Sequence, residues 1–154
     1  MVNTELLNEC REYVAGGGSF EIRPHRGLME FSESEADAYL RFNRGLSFNE
    51  RLFSLIDRTG KKDSEIYKRA RIDRRLFSKI RSNRDYVPCK KTVIALCLAL
   101  ELNREQADEL LSSAGYSLSR ADDYDLVIAF CIEKRIFDLF DINEILYHFG
   151  FEVF

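Results

Sequence analysis

The sequence has no tryptophan, only two prolines, and no uninterrupted apolar stretch close to 20 residues long. The missing apolar stretch argues against a membrane-spanning helix, since about 20 apolar residues are needed to cross the bilayer core. Residues 1–14 contain acidic side chains and no basic region ahead of an apolar one, which is unlike a secretory signal. We therefore expect a cytoplasmic protein with no membrane partner.

Side chains that bind metals or act as nucleophiles are also scarce. The histidines are His25 and His148, and none of the four cysteines (positions 10, 89, 97 and 131) is spaced as C-x-x-C. A structural zinc site takes four such ligands, so no metal site is expected. Cys97 and Cys131 lie in apolar helical patterns, where a cysteine behaves as a small buried hydrophobic side chain. No nucleophile is placed beside a histidine, so we expect no catalytic residues, no cofactor and no enzymatic activity.

What the chain does have is an uneven distribution of charge. Residues 58–91 carry 13 Lys and Arg side chains against 4 Asp and Glu, a net charge of +9. Residues 1–57 carry −4 (6 against 10) and residues 92–154 carry −8 (4 against 12), which gives the total of −3. A local basic segment of this kind favours binding to a phosphate backbone, because each docked Lys or Arg releases condensed counterions. The alternative is a solvated basic surface that only keeps a small helical domain soluble.

Two short helices are predicted inside this basic segment. Asp63 is expected to cap the first, with Ile66 and Ala70 on its inner side at a spacing of four. Asp73 is expected to cap the second, Arg74–Ser82. Two short helices joined by a turn of three to four residues form the helix-turn-helix motif, whose second helix enters the major groove of DNA.

The second helix is predicted to be amphipathic. Phe77 and Ile80 fall on its inner side at a spacing of three. The positions between them are polar and mostly basic: Arg74, Arg75, Ser78, Lys79 and Arg81. The pattern therefore indicates a cationic face that points away from the protein.

Residues 1–46 are predicted to form an N-terminal extension. A helix over residues 4–14 is followed by a flexible joint at Gly16–Gly18. Apolar and polar residues then alternate within 20–31, which suggests a small β-hairpin. The hairpin would either pack as a flap or lie on DNA as a wing.

The capping-box spacing S-x-x-E occurs twice, from Ser32 and from Ser47. The first box opens a helix that is expected to end near Gly45, and completes the extension. The second opens a helix that is expected to end at Gly60, a residue type favoured just after a helix. The helix that Ser47 opens is the first of a five-helix domain over residues 47–117.

The remaining helices of this domain follow the basic loop. Pro88 cannot continue a helix, so the next one begins at Lys90 and Lys91. Residues 93–100 are apolar on almost every side, as in a helix buried at the centre of a domain. The last helix has a clean apolar stripe before Gly115, formed by Ala107, Leu110, Leu111 and Ala114.

Residues 118–154 are predicted to form a pair of helices. Asp122 or Asp123 would cap the first, and Asp141 with Glu144 would form a capping box for the second. The expected apolar stripes are Leu126, Val127, Phe130 and Cys131, then Ile142, Ile145, Leu146 and Phe149. Residues 121–154 would form a homodimer contact, bind another protein or pack within the chain.

The stretch Ile66–Lys91 and the helix after it resemble the Cro/C1-type (XRE-like) helix-turn-helix family. The resemblance covers about residues 47–117 and rests on a short helix, a turn, a recognition helix, a loop with Asn83 and Pro88, and the apolar segment TVIALCLALELN. It implies a mainly α fold and a bacterial, cytoplasmic transcription regulator that binds double-stranded DNA as a dimer. The motif YKRA-x-ID-x-x-LFSKIRSN also resembles Firmicute modules found C-terminal to macrodomains. That resemblance implies an activity tied to ADP-ribose signalling.

The resemblance also implies roles for individual residues. Arg74, Arg75 and Lys79 match the positions that face bases, where arginine suits the O6/N7 edge of guanine. A further set is interpreted as contacting phosphates, and it consists of Lys62, Ser78, Asn83, Arg84, Lys90 and Lys91. The two lysines stand at a helix start, where a bound phosphate would offset their unfavourable interaction with the helix dipole.

Three positions depart from the family pattern. Tyr67 stands where a small alanine is usual, Arg71 where glycine is usual, and Leu76 where a polar residue normally faces the groove. They favour an alternative function, that of a protein-interaction adaptor or antitoxin-like partner that keeps the fold without sequence-specific DNA binding. Non-specific binding to DNA or RNA backbones is a third interpretation.

Overall fold

The computed structural model describes residues 33–154, so the helix predicted at 4–14 and the hairpin predicted within 20–31 lie outside the described residues. The chain divides into two compact units, Met1–Gly45 and Leu46–Phe154. The described part of the first unit holds one helix, α1, over Glu33–Asn43. The Asn43 side chain donates to the carbonyl oxygen of Tyr39 at 2.8 Å and closes the last turn of α1.

The second unit contains seven helices, and residues 33–154 include no strand. In chain order they are α2 (Phe48–Thr59), α3 (Asp63–Arg69), α4 (Arg74–Ser82), α5 (Lys90–Ala99), α6 (Arg104–Ser113), α7 (Asp123–Glu133) and α8 (Leu139–His148). The prediction of a mainly α chain is confirmed over the described residues. No helix of this part of the chain is both long enough and apolar enough to cross a bilayer.

Side-chain caps fix the starts of three helices where the sequence predicted them. Ser47 accepts a hydrogen bond from the Glu50 amide at the start of α2, and Asp73 accepts one from the Arg75 amide at the start of α4. Asp122 does the same for α7. These caps satisfy amide groups that have no partner within the first turn of a helix.

Two predicted caps are wrong. Asp63 is the first residue of α3, and the cap position belongs to Lys62, which makes no side-chain cap. The Asp63 carboxylate binds Arg81 on α4 instead, at 2.7 Å. The helix α8 begins one turn earlier than Asp141, because Asp138 accepts from the Phe140 amide at 2.9 Å. The earlier start brings Leu139 into the core.

The centre of the second unit is α5, whose residues 93–99 are all buried. It contacts α3 and α6, and α6 in turn contacts α2 and α7. A helix without a polar face has to be covered on all sides to remove its apolar surface from water. The prediction of a buried central helix over this stretch is confirmed.

The C-terminal helices belong to the same core. Ile128 and Cys131 of α7 and Ile142 and Leu146 of α8 are buried in one cluster with the α5 side chains. The predicted stripe of α7 is half wrong: Leu126 and Phe130 are exposed, whereas Cys131 is buried and Val127 packs against the core. The reason is that α7 is apolar almost all round, so its periodicity does not identify the covered side.

Six of the seven helices of the second unit are followed by a residue in the left-handed region. Three of these residues are glycines, Gly60, Gly115 and Gly150. The other three are Arg71 (φ 54°), Glu101 (φ 53°) and Arg135 (φ 58°). An L-residue in this conformation costs about 1–2 kcal/mol, since its Cβ approaches the following carbonyl oxygen.

Candidate nucleic-acid interface

The helix α4 is attached to the domain by one face only. Phe77 and Ile80 are buried, and Phe77 packs against the rings of Phe53 and Tyr67 at centroid distances of 5.9 and 5.5 Å. The Asn49 side chain also donates to the Ile80 carbonyl oxygen at 2.7 Å. These contacts fix the rotation of α4 about its axis and so decide which side chains face outward.

The outward face carries the residues predicted to contact bases. Arg74, Arg75 and Lys79 are exposed, as is Ser78 beside them. Among the described residues the guanidinium groups of Arg74 and Arg75 have no carboxylate partner. Two unpaired guanidinium groups on one exposed helical face can form bidentate hydrogen bonds with a planar acceptor edge or a phosphate.

Two aromatic rings position the other cations of α4. The Lys79 Nζ lies 4.3 Å from the centroid of the Tyr86 ring, in the loop after the helix. The Arg81 guanidinium lies 4.2 Å from the Phe53 ring while it binds Asp63. Arg81 is therefore held against the domain, and Lys79 is steered along the outer face. The role of Tyr86 in orienting Lys79 was missed by the sequence reasoning.

The three positions that depart from the family pattern have structural roles. Tyr67 and Leu76 are partly buried and pack against the core, so neither is a free groove-facing side chain. Arg71 adopts the left-handed turn that glycine would favour, and the Ile72 amide donates to the Tyr67 carbonyl oxygen at 2.9 Å across it. The turn between α3 and α4 therefore keeps its left-handed geometry with arginine in place of glycine.

The predicted phosphate contacts fall into two groups. Lys62, Ser78, Asn83 and Arg84 are exposed, although Arg84 forms an ion pair with Glu50 and Asn83 accepts from the Asp85 amide. Lys90 and Lys91 are only partly exposed and bind groups of the C-terminal segment. In the first group Lys62, Asn83 and Arg84 lie at the ends of α3 and α4 and Ser78 lies within α4, whereas the second group lies apart at the start of α5.

Lys90 is neutralised by a carboxylate that the sequence reasoning overlooked. Its Nζ lies 2.6 Å from Oδ2 of Asp125, a buried residue of α7. The same carboxylate oxygen accepts from the Ser119 amide at 2.8 Å. A buried carboxylate requires such partners, since desolvation without them is costly. The sequence offered little signal, because Asp125 follows Asp122 and Asp123 in the first turn of α7, where exposed carboxylates are usual.

Lys91 is held by the last residues of the chain. Its Nζ donates to the Val153 carbonyl oxygen at 2.9 Å and lies 3.1 Å from the Glu152 carboxylate. Asn143 on α8 fixes this segment further, by accepting from the Phe154 amide at 2.8 Å. The amino end of α5 is therefore covered by elements of the C-terminal third.

The thiols differ according to their surroundings. Hydrogen bonding with Thr92 lowers the pKa of the exposed Cys89 thiol from its ordinary value. Burial raises the pKa of Cys97 to about 12 and also raises the pKa of Cys131. The prediction that these two are buried hydrophobic side chains is confirmed.

Within residues 33–154 no three His, Cys, Asp or Glu side chains form a group that could hold a metal ion. The candidate site in this part of the chain is the exposed basic face of α4 on a helical domain. Comparison of the chain with protein-family models, with curated proteins and with solved structures gave no match.

Proposed function

We propose that α2–α6 form a Cro/C1-type helix-turn-helix domain and that the protein is a DNA-binding regulator. In this proposal α4 lies in the major groove of double-stranded DNA. Arg74, Arg75 and Lys79 contact base edges, and Lys62, Ser78, Asn83 and Arg84 contact phosphates. Lys90 and Lys91 are left out of the proposed interface, because they are engaged by Asp125 and by residues 152–153.

The observation that carries the proposal is the contrast between the two faces of α4. Its inner face is buried through Phe77 and Ile80, whereas Arg74 and Arg75 are exposed without a carboxylate partner in the described chain. Elsewhere on the domain some cations, such as Arg51 and Arg69, are paired with carboxylates, while others, such as Lys68, have no carboxylate partner among the described residues. A face of unpaired cations is suited to a polyanion, since binding a phosphate there breaks no existing ion pair.

The test is a fluorescence-anisotropy titration of the full chain with a labelled random-sequence duplex at several salt concentrations. For duplex binding we expect the logarithm of the association constant to fall linearly with the logarithm of salt concentration. The slope should be about −0.9 for each phosphate contacted. An absence of binding at low salt would contradict the proposal.

The role of Arg75 is tested by Arg75→Ala. We expect a loss of about 1–3 kcal/mol in binding free energy and of base preference at one position, because a bidentate contact to a base edge is removed. Selection of bound duplexes from a random pool measures both effects. Arg120→Ala is the matched control: Arg120 is exposed and lies outside α4. Equal effects of the two substitutions would rule out the assigned role of Arg75.

A second candidate function is that of a protein-interaction adaptor or a homodimer formed through residues 121–154. The observation that favours it is a set of exposed aromatic side chains on α8, where Phe140 is 69% and Tyr147 80% exposed. Large exposed aromatic groups are typical of contact surfaces. Sedimentation velocity of the chain and of the double variant Phe140→Ser, Tyr147→Ser tests this: an oligomer that the variant abolishes supports it, and two monomers contradict the homodimer.

A further inference from the structure

A cleft of about 640 Å³ lies between the end of α3 and the loop that joins α7 to α8. It does not include the outward face of α4. One wall is basic and is formed by Lys68, Arg69 and Arg71. The opposite elements contribute Asp138 and Asp141. The cleft thus presents opposite charges from two separate parts of the fold.

All the non-glycine residues with a strained, left-handed backbone in the described chain line this cleft. The non-glycine residues with left-handed φ in residues 33–154 are Arg71, Glu101 and Arg135, and each of them lines this cleft. Left-handed turns after three other helices hold glycine, and those glycines do not line it. Glycine would relieve the strain at all three positions. Strained residues that carry charge and converge on one cleft indicate a function for their side chains.

The charges in the cleft are only partly neutralised within the chain. Arg69 lies 3.4 Å from Glu101, and Arg71 makes a long hydrogen bond of 3.5 Å to the Phe154 carbonyl oxygen. The Arg135 guanidinium lies 5.3 Å from the ring of Phe137. Among the described residues Lys68 and Asp141 form no ion pair. Each wall therefore retains a charge that a ligand can meet.

We propose that this cleft binds a small zwitterionic ligand, with an ammonium group at one end and a carboxylate at the other. The carboxylate would bind Arg71 and Lys68, and the ammonium group would bind Asp138 and Asp141. A purely anionic ligand would be repelled by the carboxylates of the cleft, and a purely cationic ligand would be repelled by the basic wall. Phe137 and Leu139 also line the cleft and offer apolar contact to an aliphatic spacer. The proposal does not depend on DNA binding by α4.

The probes are β-alanine, γ-aminobutyrate and ε-aminocaproate, which separate the two charges by increasing distances. They are titrated into the isotope-labelled full chain, and amide chemical shifts are followed by NMR. We expect saturable shifts at Arg71, Glu101 and Arg135 for at least one probe. Caproate and hexylamine, which each lack one charge, should bind at least about fivefold more weakly, because one partly exposed ion pair is lost. Equal binding of a single-charge analogue, or no saturable shift with any probe, would overturn the proposal.

Two substitutions, Arg71→Gly and Asp141→Asn, test the site at exposed positions where the fold should be retained. Arg71→Gly removes the cleft side chain and places at φ 54° the residue type that favours this conformation. We expect the dissociation constant of the best probe to rise at least about fivefold, and Asp141→Asn to have a similar effect. Lys134→Ala is the control, since Lys134 is exposed next to Arg135 but does not line the cleft. Unchanged probe binding by both Arg71→Gly and Asp141→Asn would overturn the proposal.

Discussion

The basic segment 58–91 has two parts whose cations have different surroundings. Arg74 and Arg75 on α4 are exposed and have no carboxylate partner among the described residues. Lys90 and Lys91 at the start of α5 bind Asp125 and the end of the chain. The sequence gives all four the same formal charge, yet only the α4 pair presents an unpaired charge to a ligand.

This difference shows that the function of a basic segment depends on distant acidic residues as well as on its own composition. Asp125 lies 35 residues after Lys90 and reaches it only because α7 packs into the core of the domain. A partly exposed lysine paired with a buried carboxylate contributes to stability and to the position of α5. An exposed arginine is available for a phosphate or a base edge.

Thiol labelling tests whether the C-terminal helices cover the core. Cys89 is exposed and its pKa is lowered by Thr92, whereas Cys97 and Cys131 are buried. We expect iodoacetamide to modify Cys89 rapidly and Cys97 and Cys131 at least about 1000-fold more slowly, because the buried thiols react only after an opening of the structure. Peptide mass spectrometry of timed samples gives the three rates.

Cys97 serves as the internal control in that experiment. It lies on α5, while Cys131 lies on α7. Fast labelling of Cys131 with continued protection of Cys97 would mean that α7 leaves the core in solution. Lys90 would then be free, and the contrast between the two parts of the basic segment would fail.

Replacement of Asp125 tests the buried ion pair. Asp125→Ala removes the partner of Lys90 and the acceptor of the Ser119 amide. We expect the free energy of unfolding to fall by about 1–3 kcal/mol, because the Ser119 amide loses its acceptor while the Lys90 ammonium group, 35% exposed, can be solvated by water. Urea denaturation followed by circular dichroism measures the loss.

Glu109→Ala is the matched control for that substitution. Glu109 forms an ion pair with Arg51 at 3.0 Å, but its side chain is 53% exposed. Its removal should cost at most about 1 kcal/mol, because exposed pairs are screened by water. If both variants lose the same amount, the Lys90–Asp125 pair does not act as a buried contact.

Tyr124 provides an effect that is seen only at high pH. Burial raises its pKa to about 12, with help from the nearby carboxylates of Asp125, Glu152 and Asp122. In the unfolded chain tyrosine ionises at about pH 10, so the unfolded state releases its proton first and the stability falls as the pH rises from 10 to 12. Tyr124→Phe should show a shallower fall in urea denaturation over this range. A parallel decline in the two proteins would contradict a raised pKa at this position.

Local features of the fold were predictable from the sequence because their signals lie within a few residues. The spacing of Phe77 and Ile80 predicted the inner face of α4, and Asp73 predicted where α4 starts. The apolar run 93–100 similarly gave the buried helix. Each depends on capping or periodicity, which act over one or two turns.

Features that depend on tertiary partners were not predictable. Asp63 has the chemistry of a cap but binds Arg81, because α4 packs beside it. The covered side of α7 depends on its neighbours, since apolar residues surround the helix almost completely. For the candidate interface, the sequence indicated the cations of α4. It did not indicate that Lys90 is paired with Asp125.

The most direct test of the central claim compares duplex affinity among three proteins. They are the wild type, the triple variant Arg74→Ala, Arg75→Ala, Lys79→Ala, and Lys91→Gln, each titrated with the duplex that the wild type selects. If the α4 face contacts base edges through all three cations, the triple variant should bind at least about a hundredfold more weakly, because each lost base contact costs about 1–3 kcal/mol. Lys91→Gln should keep the wild-type affinity. A triple variant with the wild-type affinity, or a larger loss for Lys91→Gln, would contradict the account.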